Sequence, residues 1–436
     1  MRLRVFQAND GDCLLLSSSD GHHMLIDGGR SGSFSDHAVR SVSECKVLDV
    51  VCVSHIDADH ISGILKLLEI EVDWRIHLFE KEHPPQGRAR KRKPRLPRPP
   101  QIKEIWHNGF ADQLGDAEED VRNMLGLAAS AQLALQEPDL IPREFYLPDL
   151  ALGEEQAIEL AYRIDEDQLN IPLNTHFGGR LVRAGGNTEP FPMGDTLVTI
   201  VGPFQSDLMN LREQWRRWVQ THEERIDALR KEMDEEADRL GLGEADRFLA
   251  TKRALTTSAS EFGNRSDVTT PNLASIMMLA EENGARVLLT GDGAGQDILK
   301  GLEKADRLNE DGQIHVDVLK IQHHGATANI NLEFLQRVVA DHYVFCGNGS
   351  HHNPELGVVE LVADSRFGSA SRRSEHEHAG ERFMVHFNSS KSVASTSARK
   401  KHMTALEKHA RKLAKSSQQQ MKVHFNAEDF FDIGLD

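Results

Sequence analysis

Short apolar runs that end in acidic or histidine side chains recur along the chain. Residues 47–53 read Val-Leu-Asp-Val-Val-Cys-Val, and residues 24–26, 286–289 and 316–321 form similar runs. Runs of this length that are rich in leucine and β-branched residues predict buried strands. Open α/β structures place their chemistry at such strand tips. The pattern therefore predicts an α/β fold with a site built from several strand ends.

The side chains at these strand ends are metal-ligand types. Four of them fall within six residues after the run at 47–53, and the others follow the remaining runs. The set is Asp27, His55, Asp57, Asp59, His60, Asp292, His323 and His324. Imidazole and carboxylate together suit a divalent transition metal, and a strand-to-helix turn can direct the first four side chains at one point. A polar loop that is merely rich in His and Asp is the alternative for that cluster taken alone.

The order of these motifs resembles the metallo-β-lactamase superfamily. The matching blocks are a Gly-Asp turn at residues 11–12, Leu-Ile-Asp-Gly-Gly, Ser-His-x-Asp-x-Asp-His-x-x-Gly, Leu-Leu-Thr-Gly-Asp and Leu-Lys-x-x-His-His-Gly. They cover roughly residues 1–75 and 190–355. Within the superfamily they are most similar to the hydrolase domain of the bacterial competence protein ComEC and its soluble relatives. The resemblance implies an αβ/βα four-layer sandwich with two divalent ions, zinc or manganese, at one edge of the paired sheets.

The resemblance also implies two metal positions that share a bridging carboxylate. His55 and Asp57 would serve the first position, and Asp59 and His60 the second. Asp292 would bridge both, and Asp59 and Asp292 are the predicted catalytic carboxylates. Many members carry histidine where this chain has Asp57, so the first position shifts toward manganese or another oxygen-tolerant ion without excluding zinc.

Further site residues are implied by the same resemblance. One of His323 and His324 would complete the second position, and Asp27 would lie behind the site and orient its ligands. Asn272 lies where the ComEC-like group carries an asparagine. The superfamily's usual third histidine has no equivalent setting here. His176 is a candidate for it, and an ordinary solvated loop histidine is the alternative.

A loop after the His-His-Gly motif offers a candidate general acid. Residues 346–354 resemble the Gly-Asn to His-Pro loop of the ComEC-like group. His352 in this loop would approach the metals or protonate a leaving group, because imidazole titrates near working pH. A turn with ordinary exposed histidines explains the same residues equally well.

Composition agrees with an intracellular enzyme. The 436 residues are 39% hydrophobic, enough for a sizeable core, and the four cysteines are scattered as in a reduced compartment. We find no signal peptide and no long apolar span, so we expect a cytoplasmic protein without membrane contact. The sequence also lacks a Gly-x-Ser-x-Gly elbow and a P-loop, which argues against serine hydrolases and P-loop NTPases.

The net charge of −17 bears on the substrate. An acidic protein repels nucleic acid at long range, so a nuclease needs local positive charge. The proline-rich loop 84–100 supplies it, and we predict that Arg90, Lys91, Arg92 and Lys93 bind a phosphate backbone. A disordered insertion with no fixed partner is the alternative.

The remaining segments are predicted to be an insertion and an extension. Residues 112–136 and about 205–260 read as helices, the latter with Trp215 and Trp218 on one face, and would form a cap or a partner-binding surface. We place the hydrolase domain at 1–364 and an extension at 365–436. The extension has a basic helix near 403–415 and an acidic end, which is a docking tail for a partner or, more simply, a surface terminus.

Three functions are compatible with these observations. The leading hypothesis is a soluble two-metal hydrolase that cuts phosphodiester bonds in DNA or RNA, with a bacterial defence or competence context by resemblance alone. A second hypothesis keeps the metals and changes the substrate to a small phosphodiester, an ester or a lactone. The third is a metal-binding partner module of a multi-protein system, which makes contacts through the helical insertion or the tail.

Overall fold

The computed structural model describes residues 1–84, 89–108, 168–185, 189–211 and 270–435, together with residues 156, 157, 159–161, 163 and 164. The helix predicted at 112–136 lies outside the described residues. So does the part of the predicted 205–260 insertion beyond residue 211, including Trp215 and Trp218. None of the described helices combines the length and the apolar character needed to cross a bilayer.

The first sheet has six strands in the order β14-β1-β2-β3-β4-β5. Its strands are β1 (Arg2–Phe6), β2 (Leu14–Ser17), β3 (His23–Ile26), β4 (Val47–Cys52), β5 (Gln101–Trp106) and β14 (Phe430–Gly434). β3, β4 and β5 are parallel, and the other neighbours are antiparallel. β4 carries apolar side chains on both faces because both faces are covered.

The second sheet has eight strands in the order β13-β12-β11-β10-β9-β8-β7-β6. Its strands are β6 (Phe191–Met193), β7 (Thr196–Gly202), β8 (Met277–Glu282), β9 (Ala285–Leu289), β10 (Ile314–Lys320), β11 (Val338–Phe345), β12 (Phe383–Phe387) and β13 (Met421–Phe425). The strands from β9 to β13 are parallel. Their carboxyl ends therefore lie along one edge of the sheet.

Helices cover the outer face of each sheet. The described helices are α1 (Ser31–Ser33), α2 (Val39–Val42), α3 (Ala58–Glu82), α4 (Thr270–Leu273), α5 (Gly295–Lys304), α6 (Leu332–Arg337), α7 (Leu356–Phe367) and α8 (Ser397–Ser416). A π-helical turn, Phe34–Ala38, joins α1 to α2. Short 3-10 turns lie at Thr175–Phe177, Gln322–Gly325, Ser350–His352 and Glu377–Gly380.

Three apolar cores hold the layers together. One lies between the six-stranded sheet and α3 and includes Val51 and Ile64. Another lies between the eight-stranded sheet and α5 to α8 and includes Leu319. The third lies between the two sheets and contains Cys52 and Val318. Adjacent residues of a strand point to opposite faces, so each sheet contributes side chains to two cores. This arrangement confirms the predicted αβ/βα four-layer sandwich.

Residues 365–436 contribute to both sheets. β12 and β13 extend the eight-stranded sheet, α8 covers its outer face, and β14 pairs with β1 from Arg2↔Gly434 to Phe6↔Phe430. The structure therefore differs from the docking tail or surface terminus considered from the sequence, because Phe430–Gly434 is a paired strand and Ile433 is buried. Pairing with a distant edge strand is a tertiary contact that the local pattern does not reveal.

Close backbone approach fixes the end of β3 against the start of α3. Gly28 N donates to His60 O at 2.8 Å, and Gly63 N donates to Gly29 O at 2.8 Å. A Cβ atom added to Gly63 would lie 2.0 Å from Gly28 O, so no larger residue fits without movement. This contact sets Asp27, which follows β3, beside His60 in the first turn of α3.

Candidate metal centre

The candidate site lies where several strand ends meet at the edge between the two sheets. The β1–β2 turn, the end of β3, the turn after β4, the first turn of α3 and the turns after β9 and β10 all contribute to it. Their side chains are Asp12, Asp27, His55, Asp57, Asp59, His60, Asp292, His323 and His324. Parallel neighbours deliver their carboxyl ends to the same edge, which is why residues far apart in the chain come together here.

Three of these residues have backbone conformations that residues other than glycine rarely adopt. The φ angles of Asp27, His323 and His324 are 54°, 43° and 54°. The left-handed region is uncommon outside glycine, and residues held there cluster at functional sites. The turn after β10 is further fixed by Asn329, whose Oδ1 lies 2.8 Å from His323 Nδ1 and whose Nδ2 donates to Asp292 O at 2.8 Å.

Three donor atoms form a nearly equilateral triangle. His60 Nε2 lies 3.3 Å from His324 Nε2, and each of these nitrogens lies 3.4 Å from Asp292 Oδ2. Ligands bound tetrahedrally at about 2.0–2.1 Å are separated by roughly 3.3 Å, so this spacing fits one divalent ion. Together with Asp12, these buried residues offer four ligand atoms within 4.8 Å of one another.

Asp292 also faces the other histidines. Its Oδ2 lies 3.8 Å from His55 Nε2 and 3.8 Å from His323 Nε2. His55 Nε2 in turn lies 3.6 Å from Asp57 Oδ2. Asp59 Oδ2 approaches the triangle, at 3.1 Å from His324 Nε2. One carboxylate therefore stands between two groups of ligand-type side chains.

Several buried polar atoms of the site lack hydrogen-bond partners among the described residues. They include His55 Nε2, Asp57 Oδ1 and Asp292 Oδ1. An unpaired buried polar group costs about 1–3 kcal/mol, and more when it is charged. Coordination of a cation would satisfy these atoms, so the residues fit a metal.

The electrostatics of the site favour cation binding. Burial alone would raise the pKa of Asp292. The nearby His324, His60 and His323 lower it by more, so that the pKa lies well below its usual value. Burial lowers the pKa of His60, but Asp292, Asp27 and Asp59 raise it well above its usual value. Asp292 therefore remains ionised, and the negative charge around His60 stabilises a positive charge there, which a bound metal can supply in place of a proton.

Asp27 orients the ligands from behind. Both its side chain and that of His60 are fully buried, and His60 Nδ1 donates to Asp27 Oδ2 at 2.8 Å. Ser54 donates to the same carboxylate twice, from N at 2.7 Å and from Oγ at 2.6 Å. The bond to Nδ1 leaves His60 Nε2 as the free donor atom.

Sequence reasoning missed two charged residues of the site. Lys320 is fully buried, its ammonium pairs with Asp12 and donates to Gly291 O at 2.8 Å, and it lies 3.5 Å from Asp292 Oδ1. Burial raises the pKa of Asp12, but Lys320 and His324 bring it down to about 2. Both residues lie inside the quoted motifs, and a lysine between the apolar residues Leu319 and Ile321 was the signal that could have identified the pair.

Two predicted residues lie near the site or at its rim without joining the ligand group. Asn272 is buried, and its carbonyl accepts from Ser275 N, while Ser275 Oγ accepts from Asp292 N at 3.2 Å. His352 is exposed, and its ring lies 5.8 Å from that of His402 in α8. The contacts of His352 among the described residues connect it to α8 rather than to the metal ligands.

His176 and the basic loop lie elsewhere. The His176 ring packs 4.9 Å from Phe191 and 5.0 Å from Phe177 in an aromatic cluster. In the described part of the loop, Lys91 Nζ lies 2.5 Å from Asp73 on α3. Asp73 is about 21 Å along that helix from Asp59, at a rise of 1.5 Å per residue. Lys91, in the described part of the loop, therefore packs far along α3 from Asp59.

The chain is similar to known proteins in its sequence and in its structure. Residues 8–187 match the model of the metallo-beta-lactamase superfamily. Among solved structures, Zn²⁺-bound PqqB from Methylobacterium extorquens matches 100% of this chain over 100% of its own, with 8% sequence identity and a TM-score of 0.37. A comparison with curated proteins finds no match to the sequence.

Proposed function

We propose that the chain is a metal-dependent hydrolase of the metallo-β-lactamase superfamily, and that it cleaves phosphodiester bonds in DNA or RNA at its buried His/Asp site. The observation that carries the proposal is the triangle of His60, His324 and Asp292 donors at 3.3–3.4 Å, whose shared carboxylate also faces His55 and His323. This arrangement supports two divalent ions with Asp292 between them.

The assignment of ligands follows the contacts. His60, Asp59 and His324 would hold one ion, and His55 and Asp57 the other, with Asp292 reaching both. Two divalent ions, when bound, would activate water near neutral pH and stabilise the negative charge that develops during hydrolysis. The donor set mixes imidazole with carboxylate, which suits zinc or manganese.

Charge balance supports two ions rather than one. Five carboxylates converge at the site with one ammonium group. When the histidines are neutral, as metal ligands must be, the net charge is minus four, which two divalent cations would balance. The charged residues are Asp12, Asp27, Asp57, Asp59, Asp292 and Lys320.

Side-chain nucleophiles are poorly placed among the described residues. Burial raises the pKa of the Cys52 and Cys346 thiols well above the usual value, so these groups stay protonated. Ser54 is buried, and its Oγ donates to Asp27. These three side chains are therefore poor nucleophiles, which agrees with attack by water.

The subgroup and the biological setting rest on the motifs. The order Ser-His-x-Asp-x-Asp-His to Leu-Lys-x-x-His-His-Gly supports a ComEC-type relative, and with it a competence or defence role. The superfamily match does not distinguish this subgroup from others.

Wild type and an Asp59→Ala variant test the proposal. Both would be incubated with single- and double-stranded DNA and RNA in manganese, zinc, magnesium or chelator, and their bound metal would be measured by mass spectrometry. We expect metal-dependent cleavage that is lost in Asp59→Ala. Asp73→Ala is the matched control, because Asp73 lies on the same helix but pairs with Lys91 far from the site.

Other outcomes select the alternatives. Bound metal and turnover of a small phosphodiester, ester or lactone, without cleavage of any nucleic acid, would replace the nuclease assignment by a small-molecule hydrolase. Bound metal with no hydrolysis of either class of substrate would leave the partner-module hypothesis.

A further inference from the structure

Helix α8 presents a cationic face to solvent that the metal site does not explain. Its exposed basic residues are Lys400, Lys401, Lys408, Arg411, Lys412 and Lys415, which we call the α8 basic face. At 3.6 residues per turn they fall within about 120° of the helix circumference. The opposite side carries Met403, Leu406 and Ala410, which are buried against the eight-stranded sheet. The positive charge is therefore continuous along one side of the helix.

Few carboxylates offset this charge. Glu407 is the one acidic residue in the α8 sequence, and it is buried and accepts from Lys391 N at 2.9 Å. Glu360 of α7 lies 3.2 Å from His409, at the flank of the face. Within the ranges that the structure describes, the five lysines of the face have no carboxylate at salt-bridge distance. Such a surface stands out on a chain whose net charge is −17.

The helix begins at the rim of the metal site. Arg399 donates to Asn9 Oδ1 at 3.2 Å and to Ser350 Oγ at 3.0 Å. Asn9 lies in the β1–β2 turn that also carries Asp12, and Ser350 lies in the loop after β11. From this rim α8 crosses the outer side of the sheet toward the amino end of β13, where Ser417 Oγ accepts from Met421 N at 2.9 Å.

We propose that the α8 basic face binds the phosphate backbone of a nucleic acid and leads it to the metal site. This inference rests on the proposed nuclease function and names the surface that holds the substrate. From Lys400 to Lys415 the face is about 22 Å long, at 1.5 Å per residue. That length matches roughly six nucleotides, at about 3.4 Å per nucleotide along one strand.

The buried apolar side of α8 argues against a membrane as the binding partner. A surface helix binds a bilayer by inserting its apolar face between lipids. In α8 that face already packs in the core, with Met403 and Leu406 fully buried. Only the charged side is available, and it complements a polyanion in water.

The inference replaces the proline-rich loop as the main binding surface. Lys91 is paired with Asp73, and Lys93 Nζ lies 5.4 Å from the centre of the Trp74 ring, so part of the loop's charge is engaged on the far portion of α3. The five lysines of the α8 basic face have no carboxylate partner among the described residues, and α8 starts at the rim. Two quadruple variants that remove the same formal charge therefore compare the two surfaces directly.

Equilibrium binding tests the proposal in the presence of chelator, so that hydrolysis plays no part. The full chain, a K400Q/K401Q/K408Q/K412Q variant and an R90Q/K91Q/R92Q/K93Q variant would be titrated into fluorescein-labelled single-stranded DNA, duplex DNA and RNA over a range of salt. We expect the α8 variant to bind on the order of tenfold more weakly or worse, with a salt slope flatter by about 3.6 for duplex DNA. The loop variant should lose distinctly less affinity. Melting temperature and metal content check that both variants fold.

Each contrary result is informative. Equal losses in the two variants would show a general charge effect and would overturn the α8 assignment, as would a larger loss in the loop variant. Binding of phosphatidylserine vesicles but of no nucleic acid, lost in the α8 variant, would overturn it in favour of a membrane surface. Because cleavage is not measured, binding through α8 by a chain that hydrolyses no nucleic acid would support this inference while the proposed function fails.

Discussion

His60 Nδ1 lies 2.8 Å from Asp27 Oδ2, and neither side chain is exposed to solvent. The bond fixes the imidazole ring, so that Nε2 faces His324 and Asp292. Carboxylates behind a ligating histidine raise its basicity and hold its orientation. Asp27 therefore acts on any bound ion through His60 rather than by contact.

Replacing Asp27 by Asn should weaken metal binding without removing a ligand. We expect the affinity for zinc or manganese to fall about 10–100-fold, because the amide lacks the charge that supports His60. Titration against a competing chelator measures the change. Asp36→Asn, at an exposed position, is the matched control. An Asp27→Asn variant with wild-type affinity would exclude the orienting role.

Much of this site could be read from the sequence because strand patterns and ligand types coincide. The runs before Asp27, His55, Asp292 and His323 are strands β3, β4, β9 and β10, and the structure brings their ends together. Parallel strands in one sheet share an edge, so the pattern indicated a common site before any contact was known.

Other features depend on contacts that no local pattern contains. The pairing of β14 with β1 and the ion pair of Lys320 with Asp12 each join segments far apart in the chain. The basic loop follows the first metal motif closely in the sequence. The length of α3 instead carries the chain about 21 Å away before Asp73 meets Lys91.

Lys320 should be essential for the stability of the metal-free protein. Lys320→Met leaves Asp12 and Asp292 buried without their cation, and removing one partner of a buried pair costs about 3–5 kcal/mol. We expect a large drop in melting temperature in chelator. Added zinc or manganese should recover part of it, because a bound cation replaces the lost charge.

A lysine near the surface provides the comparison for that variant. Lys103 pairs with Asp49 at 2.5 Å, but half of its side chain is exposed, so Lys103→Met should cost no more than about 1 kcal/mol. If Lys320→Met were equally mild in chelator, the buried pair would have no stabilising role.

The histidines of the eight-stranded sheet predict an acid sensitivity separate from the metal site. His386 is 6% exposed, and its Nε2 lies 2.9 Å from His342 Nδ1. Burial, with His342 and His424 nearby, lowers the pKa of His386 to about 3. The unfolded chain has a value near 6.5, so between about pH 3 and 6.5 it binds a proton that the folded chain does not. The free energy of unfolding should therefore decrease as the pH is lowered through this range, by up to about 1.4 kcal/mol per pH unit from this residue.

A His386→Gln variant isolates that contribution. Urea unfolding of the chelated protein at a series of pH values from about 4.5 to 7.5 gives the slope of stability against pH. The variant should show a shallower slope below about pH 6.5 and no difference in slope above it. Parallel curves for the two proteins throughout would mean that His386 titrates alike in the folded and unfolded chain.

The approach of Gly63 to Gly28 should link folding to metal binding. A methyl group at position 63 would meet Gly28 O at 2.0 Å, and the backbone of α3 must move away from β3 to admit it. We expect Gly63→Ala to destabilise the protein by about 1–3 kcal/mol or more. The same movement separates His60 from Asp27, so bound metal should fall together with the melting temperature. Gly32→Ala is the matched control, since no atom lies within 4 Å of its added Cβ. A Gly63→Ala protein that is less stable but keeps full metal affinity would show that the β3–α3 contact serves folding alone.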